Sequence, residues 1–173
     1  MKRILLIATV ALLAIAIGVA PVLAKGPSGP SGKSTTGHLY LLEKDPTTWE
    51  VIESETWGKL NYRCKDGFSY VFNGHGLEPG ARYELVNYVD PWPGAGSQSL
   101  GTAVADEEGD VHIMGWVECL EVGTPVGGTE PLPGAKIWLV LDDDFDKDAS
   151  TMVGWNPTGY LFEEALTACC LCE

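Results

Sequence analysis

Two stretches that alternate apolar and polar residues, with a turn between them, set the terms for this chain. In Phe68-Ser-Tyr-Val-Phe-Asn73, the residues Phe68, Tyr70 and Phe72 share one face of a strand with its two-residue period. In Ala81-Arg-Tyr-Glu-Leu-Val-Asn-Tyr88, Tyr83 and Leu85 turn toward the same core. Between them, Pro79 presets a turn φ and the nearby glycines permit positive φ. A chain written this way is built from strands and reversals.

The rest of the sequence repeats the pattern. Its 21 glycines and 11 prolines cut 173 residues into short apolar runs, and no long 3.6-residue period follows the N-terminus. Leu39 and Leu41 mark a first strand, and residues 49–52 a short edge strand. Leu60, Tyr62 and Cys64 alternate into Lys65-Asp-Gly67, a hairpin signal because Asp-Gly suits positive φ. Residues 100–105 are β-compatible, and Val111, Ile113 and Val117 share a face. Ile137, Leu139 and Leu141 line one face of the most apolar run, with Trp138 and Val140 on the other. A run apolar on both faces belongs in the middle of a sheet. Residues 160–166 fit a last strand or a short helix.

The expected fold is all-β: an antiparallel immunoglobulin-like β-sandwich of about 7–9 strands over residues 38–166. A closed barrel is the alternative. The expected core includes Phe68, Tyr70, Phe72, Leu85, Ile113, Ile137 and Leu139.

Met1-Lys-Arg precedes an apolar run from Ile4 to Ala20, and small residues lead up to Ala24. That is a signal peptide over residues 1–24, or an N-terminal membrane anchor, since ~20 apolar residues span a bilayer. Residues 25–37 hold Gly, Pro and Ser with nothing large to bury, and read as a flexible linker. Both readings place the domain outside the cell, secreted or on the extracellular face of the membrane. The formal net charge of −13 repels nucleic acid and anionic lipid, so contact with membrane is expected only through the N-terminal segment.

Five cysteines fall in the exported part: Cys64, Cys119, Cys169, Cys170 and Cys172. An oxidising compartment favours disulfides among them, and an odd count leaves one thiol over. Cys64 or Cys119 bonded to a cysteine of the C-terminal tail, residues 167–173, is the expected arrangement. The tail's Cys-Cys-x-Cys lacks the fourth ligand of a zinc site. Asp144, Asp146 and Asp148 alternate in an acidic loop, as in the start of a calcium loop, but the glycine and closing glutamate of an EF-hand are missing. Weak calcium binding is weighed there against a solvated loop, and no other cofactor is expected. His38, His75 and His112 show no metal-ligand spacing, and no Gly-x-Ser-x-Gly elbow is present. No catalytic residue is therefore assigned.

Trp92 lies in Asp-Pro-Trp-Pro-Gly and Trp155 in Gly-Trp-Asn-Pro. Loop aromatics of this kind stack on sugar rings or anchor a protein partner, and the competing role is to plug one end of the fold.

The string from Phe68 to Tyr88, with Lys136-Ile-Trp-Leu-Val140, Gly154-Trp-Asn-Pro157 and Tyr160-Leu-Phe-Glu163, resembles small uncharacterised exported β-sandwich domains of prokaryotes, archaeal ones among them. The resemblance covers about residues 37–163 and carries no activity with it. The reading from sequence is a non-enzymatic exported module that binds or scaffolds, with an envelope glycan or protein as partner. The alternative is a secreted hydrolase with a loop-borne active site.

Overall fold

The computed structural model describes residues 36–125 and 127–172. The expected signal or anchor segment, and the linker up to residue 35, lie outside the described residues. Among those described, no helix is long and apolar enough to cross a membrane.

Among the described residues, ten strands form: β1 (Thr36–Leu42), β2 (Trp57–Cys64), β3 (Phe68–His75), β4 (Arg82–Tyr88), β5 (Gln98–Val104), β6 (Val111–Val117), β7 (Lys136–Leu141), β8 (Phe145–Asp146), β9 (Thr151–Met152) and β10 (Leu161–Glu163). Eight of them make one antiparallel sheet in the order β5-β4-β7-β10-β1-β2-β3-β6. The expected antiparallel all-β fold is what forms. Its two halves are parts of a single sheet, which curls nearly into a barrel and so encloses a core as sandwich layers do.

Contacts of edge strand β5 with β3 and β6 at the far end of the sheet show the closure. The Tyr70 hydroxyl of β3 donates to the Leu100 carbonyl of β5. Gly101, with φ at +136°, leaves no room for a Cβ, which would lie 2.9 Å from the Ile113 side chain of β6. A larger residue there would hold the two edges apart.

The stretches Phe68–His75 and Arg82–Tyr88 do face one core, but they are not hydrogen-bonded neighbours. The turn between them carries the chain from one half of the sheet to the other. Leu77 is buried beneath it. The Leu77 N–H donates to the Gly109 carbonyl at 3.0 Å, and the Gly80 N–H to the Ala105 carbonyl at 2.9 Å. The turn's polar groups are therefore satisfied by the β5–β6 connection, and a direct β3–β4 hairpin is not needed.

All seven expected core residues are buried, none more than 5% exposed. β7 lies inside the sheet between β4 and β10, as its two apolar faces require. Its inner face, Ile137 and Leu139, joins the main core. Its outer face, Trp138 and Val140, joins a second cluster with Val86, Tyr88 and Phe162. Residues 142–160 fold over that outer face and bury Phe145, Met152 and Tyr160 against it. The edge strand expected at residues 49–52 does not form. Only a single bridge, Lys44 to Val51, is made, and Trp49 takes a positive φ of 61° that breaks a strand.

The tail seals the other end. Cys64 bonds Cys169, and Cys119 bonds Cys172, leaving Cys170 free. Leu120 pairs with Leu171 in parallel, with the Leu120 N–H donating to the Cys170 carbonyl at 2.7 Å. Two disulfides suit an oxidising compartment.

Candidate functional site

The second apolar cluster does not end in a sealed core. At one side it opens into a cleft of about 480 Å³ lined by Trp49, Tyr88, Asp90, Trp92, Lys136, Trp138 and Trp155. Four of the six tryptophans meet there.

The floor comes from the sheet. Tyr88 on β4 is two residues out of step with Trp138 on β7, and their rings stack at 3.8 Å with an angle of 8°. Lys136 sits opposite Tyr88 on the same strand pair. Its Nζ lies 2.6 Å from Asp90 Oδ2, and 5.9 Å from the centres of both the Tyr88 and the Trp138 rings.

The walls come from three loops. Asp90 through Gly94 leaves β4 with cis bonds before Pro91 and Pro93. The Gly94 N–H returns to the Pro91 carbonyl at 2.8 Å, and the Ser97 hydroxyl accepts the Val89 N–H at 2.9 Å. Gly94 has φ at +79° and lies directly on the Tyr88 ring, where a side chain would not fit. The loop also accepts from its neighbour: Pro93 O takes the Met152 N–H at 2.8 Å and the Thr151 hydroxyl at 3.0 Å. Trp92 therefore meets Trp155 edge to face, with centroids 5.3 Å apart.

Trp155 is held from behind by Asp144. The carboxylate of this buried residue accepts Asn156 Nδ2 at 2.8 and 3.0 Å and the Tyr160 hydroxyl at 2.6 Å. Its backbone carbonyl accepts the Val153 N–H at 2.8 Å. Burial above all, and then the bond to Asp144, push the Tyr160 hydroxyl far above its usual pKa, so it stays protonated and donating. Trp49 completes the rim, edge to face over Phe162 at 5.2 Å and 6.3 Å from Trp138.

Trp49, Trp92 and Trp155 remain 47%, 49% and 39% exposed, while Trp138 is 4% exposed. The rim rings thus keep free faces, which plugs would not. No family model, curated protein or solved structure matches the chain. The site is read from its own chemistry.

Sequence reasoning singled out Trp92 and Trp155, and the structure brings them together. It missed Trp49, Tyr88, Asp90, Lys136 and Trp138. The signal for Trp138 was its place on the second face of a central strand, where an aromatic ring needs something to cover it. Trp49 carried no signal, because a positive φ is not written in the residue itself.

The acidic trio does not converge. Asp144 points inward to Asn156 and Tyr160, as above. Asp146 Oδ1 accepts the N–H groups of Asp148 and Ala149, both at 2.9 Å, which closes a turn. Asp148 stays exposed. Among the described residues, the one group of side chains close enough to share a metal is Cys119, Glu121 and Cys172, and its two sulfurs are bonded to each other.

The histidines are spread over the surface. His75 Nδ1 lies 2.8 Å from Asp110 Oδ1, beside the Trp57 ring, and His112 Nδ1 lies 2.8 Å from Asn73 Oδ1. No hydroxyl joins the His75–Asp110 pair among its hydrogen bonds. His38 packs on Tyr40.

One buried acid lies beneath the site. Glu163 on β10 is 7% exposed, and its Oε2 has no hydrogen-bond partner, nor has the Trp138 indole nitrogen. Burial pushes the Glu163 carboxyl up from 4.5 to about 7, with Lys44 the main opposing influence. Between these two values the folded protein keeps a proton that the unfolded chain has released, so stability falls as pH rises and then levels off. Glu163→Gln is expected to flatten that slope and to gain up to about 3 kcal/mol at alkaline pH. Urea denaturation of both proteins at pH 5 and pH 8 checks it. A parent profile flat across this window would contradict the assignment.

Proposed function

We propose that the protein is an exported, non-enzymatic binding module whose tryptophan cleft holds a ring of an envelope glycan. The observation that carries this is the convergence of four tryptophans, three of them with exposed rings, around a recess of about 480 Å³. That size is in the range of small-ligand sites. A flat aromatic face carries negative charge above its plane and attracts the polarised C–H groups on the apolar face of a sugar. The cleft's two charged groups supply hydrogen bonds at its edge. The rim stands on loops pinned to a rigid sheet, a common setting for binding residues. The apolar N-terminal run, the Gly/Pro/Ser segment and the two disulfides support secretion, or display on the extracellular face of the membrane.

Affinity electrophoresis in gels containing neutral polysaccharides tests the reading. The parent protein is expected to be retarded. Trp92→Ala and Trp155→Ala are each expected to lose about 2 kcal/mol, some thirtyfold in affinity, with unchanged circular dichroism. Trp116→Ala is the control, since Trp116 is exposed on another part of the sheet and covers Gly67. Retention of both cleft variants equal to the parent's would contradict the proposal. Binding of envelope protein in place of glycan would do so as well.

A further inference from the structure

We infer that the cleft takes neutral, hydroxyl-bearing rings and rejects organic cations, because Lys136 is already its resident cation. This rests on the tryptophan cleft being the binding site.

Aromatic walls with a carboxylate at the edge are the usual recipe for binding a quaternary ammonium group. Trp49, Trp92, Trp138, Trp155, Tyr88 and Asp90 supply every part of it. Here the place of the cation is filled from within. The Lys136 ammonium stands 5.9 Å from the centres of both floor rings and is bonded to Asp90 at 2.6 Å. The two side chains are only 24% and 19% exposed, so water screens the pair weakly. An incoming cation would meet a like charge over the same rings, and would find the carboxylate already paired. An incoming anion would find Lys136 neutralised and the chain's net charge of −13 against it.

A neutral sugar pays neither cost. Its C–H face stacks on the exposed rim rings. The Lys136 ammonium spends one of three donors on Asp90 and has others for hydroxyl oxygens, and Asp90 Oδ1 remains an acceptor for a hydroxyl proton. Lys136 thereby sets the charge class of the ligand.

Titration with tetramethylammonium, followed by tryptophan fluorescence, tests this in four full-length proteins: the parent, Lys136→Gln, Lys136→Arg, and the double variant Asp90→Asn with Lys136→Gln. Lys136→Gln is expected to bind the probe about tenfold more tightly than the parent, the size of one partly desolvated cation–π contact. Lys136→Arg keeps a cation over the rings and is expected to behave as the parent does. The double variant is expected to lose most of the gain. Parent binding as tight as that of Lys136→Gln would overturn the inference while leaving the cleft as a binding site, since the tryptophans would still report the ligand. A folded Lys136→Gln that binds no better than the parent would overturn it too. If neither tetramethylammonium nor a neutral glycan perturbs the tryptophans of any of the four, the binding reading itself fails.

Discussion

Reducing the two disulfides is expected to lower the melting temperature more than any substitution in the cleft. The bonds span 105 and 53 residues of chain. Closing loops of those lengths removes about 5 and about 4 kcal/mol of unfolded-chain entropy in the loop-closure treatment, and measured disulfides commonly deliver ~2–5 kcal/mol. The two loops overlap, so the effects do not simply add. Both bonds act on one tail, whose other ties are the isolated bridges Leu120–Leu171 and Ala135–Thr167 and the packing of Ala165, Cys170 and Leu171 on the core. A combined loss of about 4 kcal/mol, or about 15 °C, is the expected outcome of adding reductant. Cys170→Ser should leave the melting temperature unchanged, since that thiol is free. Equal melting with and without reductant would show that the tail contributes little.

Asp144→Ala is expected to cost about 3 kcal/mol and to abolish binding as well. Its carboxylate is the shared acceptor for Asn156 Nδ2 and the Tyr160 hydroxyl. Tyr160 is fully buried, so losing that acceptor leaves its hydroxyl proton only the long contact to the Gly154 carbonyl at 3.4 Å. The same residue fixes the chain around Gly154, where the carboxylate occupies the space a Cβ would need. Trp155 follows immediately and loses its position when the anchor goes. The pairing of effects is diagnostic. Trp155→Ala should weaken binding at constant stability, whereas Asp144→Ala should reduce both in urea denaturation and glycan retardation. A stable Asp144→Ala protein with intact binding would show that the loop is held by something else.

The strands were legible because their signal is local. Phe68, Tyr70 and Phe72 fall at every second position over five residues, and Lys65-Asp-Gly67 turns with positive φ at Asp66 and Gly67, as that dipeptide favours. The sheet order was not legible. Nothing in residues 76–81 tells whether the chain returns beside β3 or crosses to the other half. That choice is made by the contacts of Leu77 and Gly80 with the β5–β6 connection. The site was half legible for the same reason. Trp92 and Trp155 stand out in Pro- and Gly-rich loops, but their meeting depends on Pro93 O accepting from the Thr151 hydroxyl across 58 residues of chain and from the adjacent Met152 N–H. The acidic run misled in the other direction. Its alternation resembles a ligand set, yet Asp144 and Asp146 are spent on tying their own loop, as Asp often is in turns.

The most direct measurement is an NMR titration of the indole N–H resonances with neutral gluco-, manno- and galacto-oligosaccharides. The chain has six tryptophans, four in the cleft and two, Trp57 and Trp116, elsewhere on the sheet. The account expects the signals of Trp49, Trp92, Trp138 and Trp155 to shift together with one dissociation constant, while Trp57 and Trp116 stay in place. Shifts confined to Trp57 and Trp116, or none with any neutral oligosaccharide, would contradict it.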